Sequence, residues 1–157
     1  MDQQQIQMAK AQSLWGDGLI AISKAYEQDG IETAARVAEG LVDTLYDYDD
    51  HPVLFKPTLA SGEKTFRNTK EGALSYFIGE NPDYPLDTGF ALKGWRSCEA
   101  VEAASYVDGS TFMWMGSVIL KDRNGDTTQV DKSWVYREDS EGNLRITLHH
   151  SSLPYEP

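Results

Sequence analysis

The strongest constraint on the fold is a change in the sequence pattern near Gly89. From there to the C-terminus, the chain contains four segments rich in β-branched and aromatic residues, and turn sequences separate them. Two of these turns, Asp108-Gly109 and Asn124-Gly125, have the composition of tight hairpin turns. The pattern predicts an antiparallel meander of four strands, within residues 90–107, 111–120, 127–137 and 144–153.

The residues before this point have helical periodicity. Apolar side chains recur at steps of three and four in two segments, which Asp29-Gly30 separates. Gly40 lies inside the second apolar stripe and is interpreted as marking a place where the helix packs closely against the sheet. A short strand at residues 53–58, which Pro57 limits to a sheet edge, precedes a third helix with a predicted N-cap at Asn68. The two apolar stripes consist of Met8, Ala11, Trp15, Leu19, Ile22 and Tyr26, and of Ile31, Ala34, Ala38, Leu41 and Leu45.

Helices followed by a run of antiparallel strands are typical of an α+β architecture. In that class the helices pack on one face of the sheet. The chain has 157 residues and no internal repeat, low-complexity tract or linker. We therefore predict a single domain, residues 1–157, with N-terminal helices packed on a curved antiparallel β-sheet.

The charge of the chain argues against two classes of partner. The net charge is −11 at pH 7, whereas nucleic acids and anionic membrane surfaces both attract basic proteins. No run of 18 apolar residues is present, so no transmembrane helix is predicted. The polar start of the sequence lacks the features of a signal peptide, and a cytoplasmic location is predicted.

The chain has few of the residues that bind transition metals. Cys98 is the single cysteine, and the three histidines are His51, His149 and His150. His149 and His150 are adjacent on a predicted strand, so their side chains point to opposite faces and do not reach one ion. His51 is predicted on a solvated loop. No metal or other cofactor is predicted, although the 25 acidic residues leave a site of one histidine and carboxylates open.

The end of the last predicted strand concentrates acid–base chemistry. Strand alternation puts His149 and Ser151 on one face, and His150 and Ser152 on the other. A difficulty follows from the same alternation, because Leu144 and the other apolar residues of the strand share the face of His150. The simplest pattern sends that apolar face inward and His149 outward. A site at His149 and Ser151 therefore requires a pocket on the polar face or a bulge that exchanges the faces.

Several sequence blocks together resemble the iota-class carbonic anhydrase domain. The order of helices and strands is similar to the NTF2-like (cystatin-like) cone, but that fold supports many functions and is weak evidence alone. The more specific blocks run in the family's order and cover most of the chain. They are residues 53–58 (VLFKPT), 66–69 (FRNT), 73–77 (ALSYF), Gly89-Phe90-Ala91 with Trp95, Met115-Gly116, and residues 148–155 (LHHSSLPY).

The resemblance implies reversible hydration of CO2 to bicarbonate, a homodimer and a role in carbon concentration. It also implies that Thr58, Tyr76 and Ser151 bind the substrate, and we predict His149 as the proton carrier. Hydroxyl groups donate and accept hydrogen bonds, and a histidine titrates near neutral pH, so this set suits a metal-free site. The sequence departs from the expected family pattern at residues 130–134 (VDKSW), where we expect a more acidic and aromatic strand.

Two other functions are compatible with the same fold. An isomerase or cyclase of the ketosteroid-isomerase or polyketide-cyclase type would need a larger apolar pocket and a buried carboxylate base. A non-enzymatic oligomerisation module, like the association domain of a calmodulin-dependent kinase, would use the aromatic sheet face as its interface. The volume of the pocket and the residues that line it distinguish these alternatives.

Overall fold

The N-terminal part of the chain forms a helical hairpin. In the computed structural model, which describes residues 1–157, α1 spans Gln3–Asp29 and α2 spans Ile31–Leu45. Gly30 joins them with a φ of 90°, a conformation that is open to glycine because it lacks Cβ. The two helices and the break predicted from periodicity are therefore confirmed. None of the helices is both long and apolar enough to span a bilayer.

Five strands form a single sheet in the order β1-β5-β4-β3-β2. Their bounds are Leu54–Lys56 (β1), Trp95–Asp108 (β2), Thr111–Asp122 (β3), Thr127–Glu138 (β4) and Leu144–Ser152 (β5). The strands β2 to β5 form the predicted antiparallel meander. The short edge strand β1 instead pairs in parallel with β5, so the sheet is mixed rather than wholly antiparallel.

A third helix, α3, spans Lys70–Ile78 and follows β1 after a single 3-10 turn at Gly62–Lys64. Its N-cap is Thr69, whose side chain accepts a hydrogen bond from the backbone N–H of Gly72. The predicted cap at Asn68 is wrong by one residue. Another 3-10 turn, Phe90–Leu92, leads into β2.

The hydrophobic core lies between the helices and the inner face of the sheet. It contains 28 buried residues, among them Trp15 and Leu19 from α1 and Trp114 and Trp134 from the sheet. The two indole rings of Trp15 and Trp134 meet edge to face, with centroids 5.5 Å apart. This is the arrangement of helices on one sheet face that the sequence predicts for an α+β domain.

A β-bulge in β5 exchanges the two faces of that strand. Tyr136 of β4 pairs with Ile146, and the preceding Val135 pairs with Leu148, so Thr147 has no partner across the ladder. Ile146 is buried before the bulge, and His149 is buried after it. The apolar side chains therefore point inward up to Ile146, and the polar ones point inward beyond Thr147. This bulge resolves the conflict between the strand pattern and a site at His149.

Gly116 is required by the close approach of two strands. A Cβ atom at this position would overlap the carbonyl oxygen of Val101 and lie 2.7 Å from the indole of Trp114. We expect Gly116→Ala to lower the free energy of unfolding by about 1–3 kcal/mol through overpacking, as measured by urea denaturation. Gly40→Ala is the control, because a Cβ there meets no atom within 4 Å. Because Gly40 is exposed on α2, its replacement by alanine should stabilise that helix by up to about 1 kcal/mol. The open space around Gly40 also shows that the close helix–sheet contact predicted there is wrong.

Candidate active site

A small cavity at the end of β5 brings together four predicted side chains from three parts of the fold. Thr58 lies just after β1, Tyr76 lies on α3, and His149 and Ser151 lie on β5. The structure thus places all four predicted site residues around one cavity of about 10 Å³, which is room for about one water molecule. The complete lining consists of Trp15, Phe55, Pro57, Thr58, Tyr76, Phe77, Phe90, Lys132, His149 and Ser151.

Three hydroxyl groups define the polar wall of the cavity. The Oγ1 of Thr58 and the Oγ of Ser151 are 2.6 Å apart and form a hydrogen bond. The phenolic oxygen of Tyr76 accepts a hydrogen bond from the backbone N–H of Leu59 at 3.1 Å. Burial raises the pKa of Tyr76 to about 12, so this phenol stays protonated at neutral pH. All three groups are therefore neutral and able to donate hydrogen bonds to a bound anion.

Both ring nitrogens of His149 have a hydrogen-bond partner. Its Nδ1 lies 2.9 Å from the hydroxyl of Tyr46, and its Nε2 lies 2.8 Å from the Nζ of Lys132. The ring stacks on Phe55, with centroids 4.7 Å apart and planes 12° apart. Burial, together with the charge of Lys132 and that of His150, lowers the pKa of His149 well below its ordinary value. The imidazole is consequently neutral at neutral pH.

Lys132 is the site residue that the sequence analysis did not identify. Its side chain is buried, and its Nζ lies 2.9 Å from the Oγ of Ser151 and 4.6 Å from the ring centroid of Trp15. No carboxylate pairs with it. Burial is the main reason that the pKa of Lys132 falls to about 7. The signal was present in the sequence, because Lys132 alternates with Val130 and Trp134 on an otherwise apolar strand face.

The remaining histidines lie away from the cavity. His150 is exposed on the opposite face of β5. His51 lies on a loop, where its Nε2 is 3.1 Å from a carboxylate oxygen of Asp47 and its side chain is 44% exposed. The chain contains no group of three or more His, Cys, Asp or Glu residues arranged to hold a metal ion.

The cavity differs from the one that an isomerase or cyclase would need. Its volume of about 10 Å³ is far below the roughly 300 Å³ at which drug-sized ligands begin to fit. No Asp or Glu lines it, so a carboxylate base is absent. The chemistry available is that of three hydroxyls, one imidazole and one amine, facing a wall of aromatic rings.

Comparisons with known proteins give a consistent result. The family model of metal-independent carbonic anhydrases matches residues 6–153. A metal-independent carbonic anhydrase from Nostoc sp. strain PCC 7120 is 49% identical over 146 residues, which are 93% of this chain and 71% of the relative. The crystal structure of a cyanobacterial iota-carbonic anhydrase complexed with bicarbonate superposes with a TM-score of 0.96. Its identity is 46%, and the match covers 100% of this chain and 94% of the other.

More distant structures share the fold alone. A putative calcium/calmodulin-dependent protein kinase II association domain from Xanthomonas campestris has a TM-score of 0.52 at 21% identity, covering 91% of this chain and 82% of the other. An NTF2-like superfamily protein from Salmonella enterica has a TM-score of 0.51 at 17% identity, covering 95% and 94%. These matches confirm the NTF2-like fold predicted from the sequence.

Proposed function

The chain belongs to the iota-class, metal-independent carbonic anhydrase family, and from this premise we propose that it hydrates CO2 reversibly between Thr58, Tyr76 and Ser151. The observation that carries the proposal is this small cavity, which combines hydroxyl donors with aromatic walls. The similar cyanobacterial enzyme, at 46% identity, has been crystallised with bicarbonate. A bound bicarbonate here would have the three hydroxyls as its donors.

The cavity lining suits both partners of the reaction. Phe55, Phe77 and Phe90 provide an apolar wall, which suits linear, uncharged CO2 better than it suits water. The hydroxyls of Thr58 and Ser151 can orient the attacking water and then donate to the oxygens on which negative charge develops. Donors that are already in place when charge develops stabilise the transition state without reorganisation.

The proton released from water requires an acceptor near the hydroxyls. His149 was predicted for this role, and the structure puts it beside the cavity with its Nε2 directed at Lys132 rather than at a hydroxyl. In our proposal, His149 acts through Lys132 and positions its amine near the hydroxyl of Ser151. The support is the hydrogen-bond order of Ser151, Lys132 and His149 along the wall of the site.

Metal removal tests the proposed mechanism. We expect protein that has been treated with a strong chelator and then desalted to hydrate CO2 at the rate of untreated protein, as measured by stopped-flow with a pH indicator. The reason is that the proposed donors and acceptors are all side chains of this chain. Activity that disappears on chelation and returns with one added metal would contradict the metal-free mechanism. No rate above buffer in any condition would contradict the function itself.

Other implications of the family stay proposals. We infer a homodimer formed through the outer face of the sheet, and the support is that Val101, Tyr106 and Met115 expose apolar surface there. A cytoplasmic location and a role in carbon concentration remain predictions. The similarity to the kinase association domain concerns the fold alone, so it does not favour an oligomerisation module.

A further inference from the structure

A chain of buried hydrogen bonds determines the charge of Lys132. The indole N–H of Trp15 donates to the hydroxyl of Tyr46 at 3.0 Å. That hydroxyl has one hydrogen, and its other partner is the Nδ1 of His149. The phenol is fully buried, which raises the pKa of Tyr46 well above its ordinary value. It therefore keeps its hydrogen and donates it to Nδ1.

The tautomer of His149 follows from this order of donors. A neutral imidazole carries one hydrogen, and with Nδ1 acting as an acceptor, that hydrogen lies on Nε2. The Nε2–H then points at the Nζ of Lys132, 2.8 Å away. Only a neutral amine has a lone pair to accept it. The reverse order would leave the buried hydroxyl of Tyr46 without an acceptor, and an unmade hydrogen bond in the protein interior is destabilising.

The surroundings of the amine agree with a neutral resting state. The titratable groups that face it are His149 from β5, Cys98 from β2, Lys56 from β1 and, across the cavity, Tyr76 from α3. Helix α1 contributes the uncharged ring of Trp15. None of these groups is a carboxylate, and the nearby charge of Lys56 disfavours a second positive charge. A pKa of about 7 means that a substantial fraction of the amine of Lys132 is unprotonated at neutral pH and able to act as a base.

We propose that the amine of Lys132 is the general base of the reaction and receives the proton of the attacking water through the hydroxyl of Ser151. The geometry for this transfer is present, because Nζ lies 2.9 Å from Oγ of Ser151, which lies 2.6 Å from Oγ1 of Thr58. Rotation about the Cε–Nζ bond turns the lone pair from His149 to Ser151. This inference rests on the proposed function and specifies its proton acceptor.

The transfer balances in both directions. The oxygen of water forms a bond to the carbon of CO2, and one C=O electron pair moves onto oxygen. A proton of that water passes to Oγ of Ser151 while the Ser151 proton passes to Nζ, which leaves bicarbonate and an ammonium group on Lys132. A base in the solvent then removes the proton. In the dehydration of bicarbonate, the ammonium group is the acid, and His149 is a positioning residue for the amine.

The first test is the pH dependence of kcat/KM for CO2 hydration. Because the neutral amine is the active form, the rate should rise with pH through an inflection near pH 7. Lys132→Met should lower kcat/KM by about 10²- to 10⁴-fold, the usual contribution of a general base, and remove this inflection. Its urea midpoint should fall because the Nε2–H of His149 loses its acceptor, but circular dichroism should show that the variant is folded in the assay. A Lys132→Met variant that is active and keeps the inflection would overturn the inference.

The second test changes a neighbouring charge and leaves the base in place. Lys56 lies outside the cavity, where its Nζ donates to the carbonyl oxygen of Ser151 at 2.9 Å. Its positive charge lowers the pKa of Lys132. Lys56→Met should therefore keep the inflection and move it to higher pH, an effect that a purely structural Lys132 would not produce. An inflection that stays in place or moves to lower pH would overturn the inference.

A direct titration separates this inference from the proposed function. In wild-type protein with isotope-labelled lysine, the NMR signal that is missing from Lys132→Met should titrate near pH 7. Titration near the ordinary lysine value, about 10.4, would overturn the role of Lys132 even in an active enzyme. A wild type that does not hydrate CO2 would overturn the function and this role together.

Discussion

Replacing Ser151 with alanine is expected to lower kcat/KM for CO2 hydration by about 10²- to 10³-fold, the usual effect of losing one preorganised donor. The side chain is 1% exposed, and its hydroxyl is the single group that contacts both Thr58 and Lys132. The substitution therefore removes a donor to the developing bicarbonate and, at the same time, the connection between the water and the amine. Stopped-flow measurements at saturating buffer would give the change.

Ser152→Ala is the matched control for this experiment. Ser152 is the next residue of β5 and carries the same side chain, but it is exposed on the other face of the strand. Its substitution should change kcat/KM by less than about twofold, since surface changes away from a site have small effects. Equal losses in the two variants would contradict the assignment of Ser151. So would a Ser151→Ala enzyme that keeps more than about a tenth of the activity.

The loss of activity in Ser151→Ala should be larger than partial unfolding of the variant can explain. The substitution leaves two buried groups short of one hydrogen bond, which costs roughly 1–3 kcal/mol of stability. A domain of this size typically has about 5–15 kcal/mol, so the variant stays folded in the assay. Circular dichroism and the urea midpoint, measured on the same samples, would separate a folded inactive enzyme from a partly unfolded one.

The fold was predictable because each element carries its own local signal. The apolar stripes of α1 and α2 have helical spacing, and the hairpin turns at Gly109 and Gly125 separate the strands of the meander. The parallel pairing of β1 with β5 was not predictable, since a three-residue strand carries no information about its partner. The bulge at Thr147 also has no local sequence signature. The resemblance to a family indicated the buried face of His149 correctly where the strand pattern indicated the opposite face.

The chemical state of the site was harder to predict than its composition. His149 was assigned as a proton carrier from the ordinary pKa of a histidine, which applies in water. Burial and the neighbouring charges of Lys132 and His150 lower that value, and no local sequence pattern reports these long-range contacts. Burial likewise turns Lys132, which would be an ammonium group in solvent, into an amine that titrates near neutral pH. Only the tertiary packing decides which of these two groups accepts a proton.

Breaking the buried ion pair between Arg67 and Asp87 should cause the largest loss of stability. The guanidinium donates two hydrogen bonds of 2.7 Å to the carboxylate, and both side chains are less than 5% exposed. Arg67 also donates to the carbonyl of Gly72 near the start of α3, while Ser75 of the same helix donates to Asp87. The pair thus fixes the helix that carries Tyr76 to the loop beside the cavity.

We expect Arg67→Met to lower the free energy of unfolding by about 3–5 kcal/mol, because the substitution leaves Asp87 buried without its counter-charge. Adding Asp87→Leu should recover part of the loss, since the double variant has no unpaired charge. The control is Lys70→Met, which breaks the exposed pair with Asp43 (2.8 Å apart, side chains 39% and 51% exposed) and should cost no more than about 1 kcal/mol. Urea denaturation of the wild type and the three variants would give these free energies of unfolding. Equal losses in Arg67→Met and Lys70→Met would mean that the buried pair does not hold α3 in place.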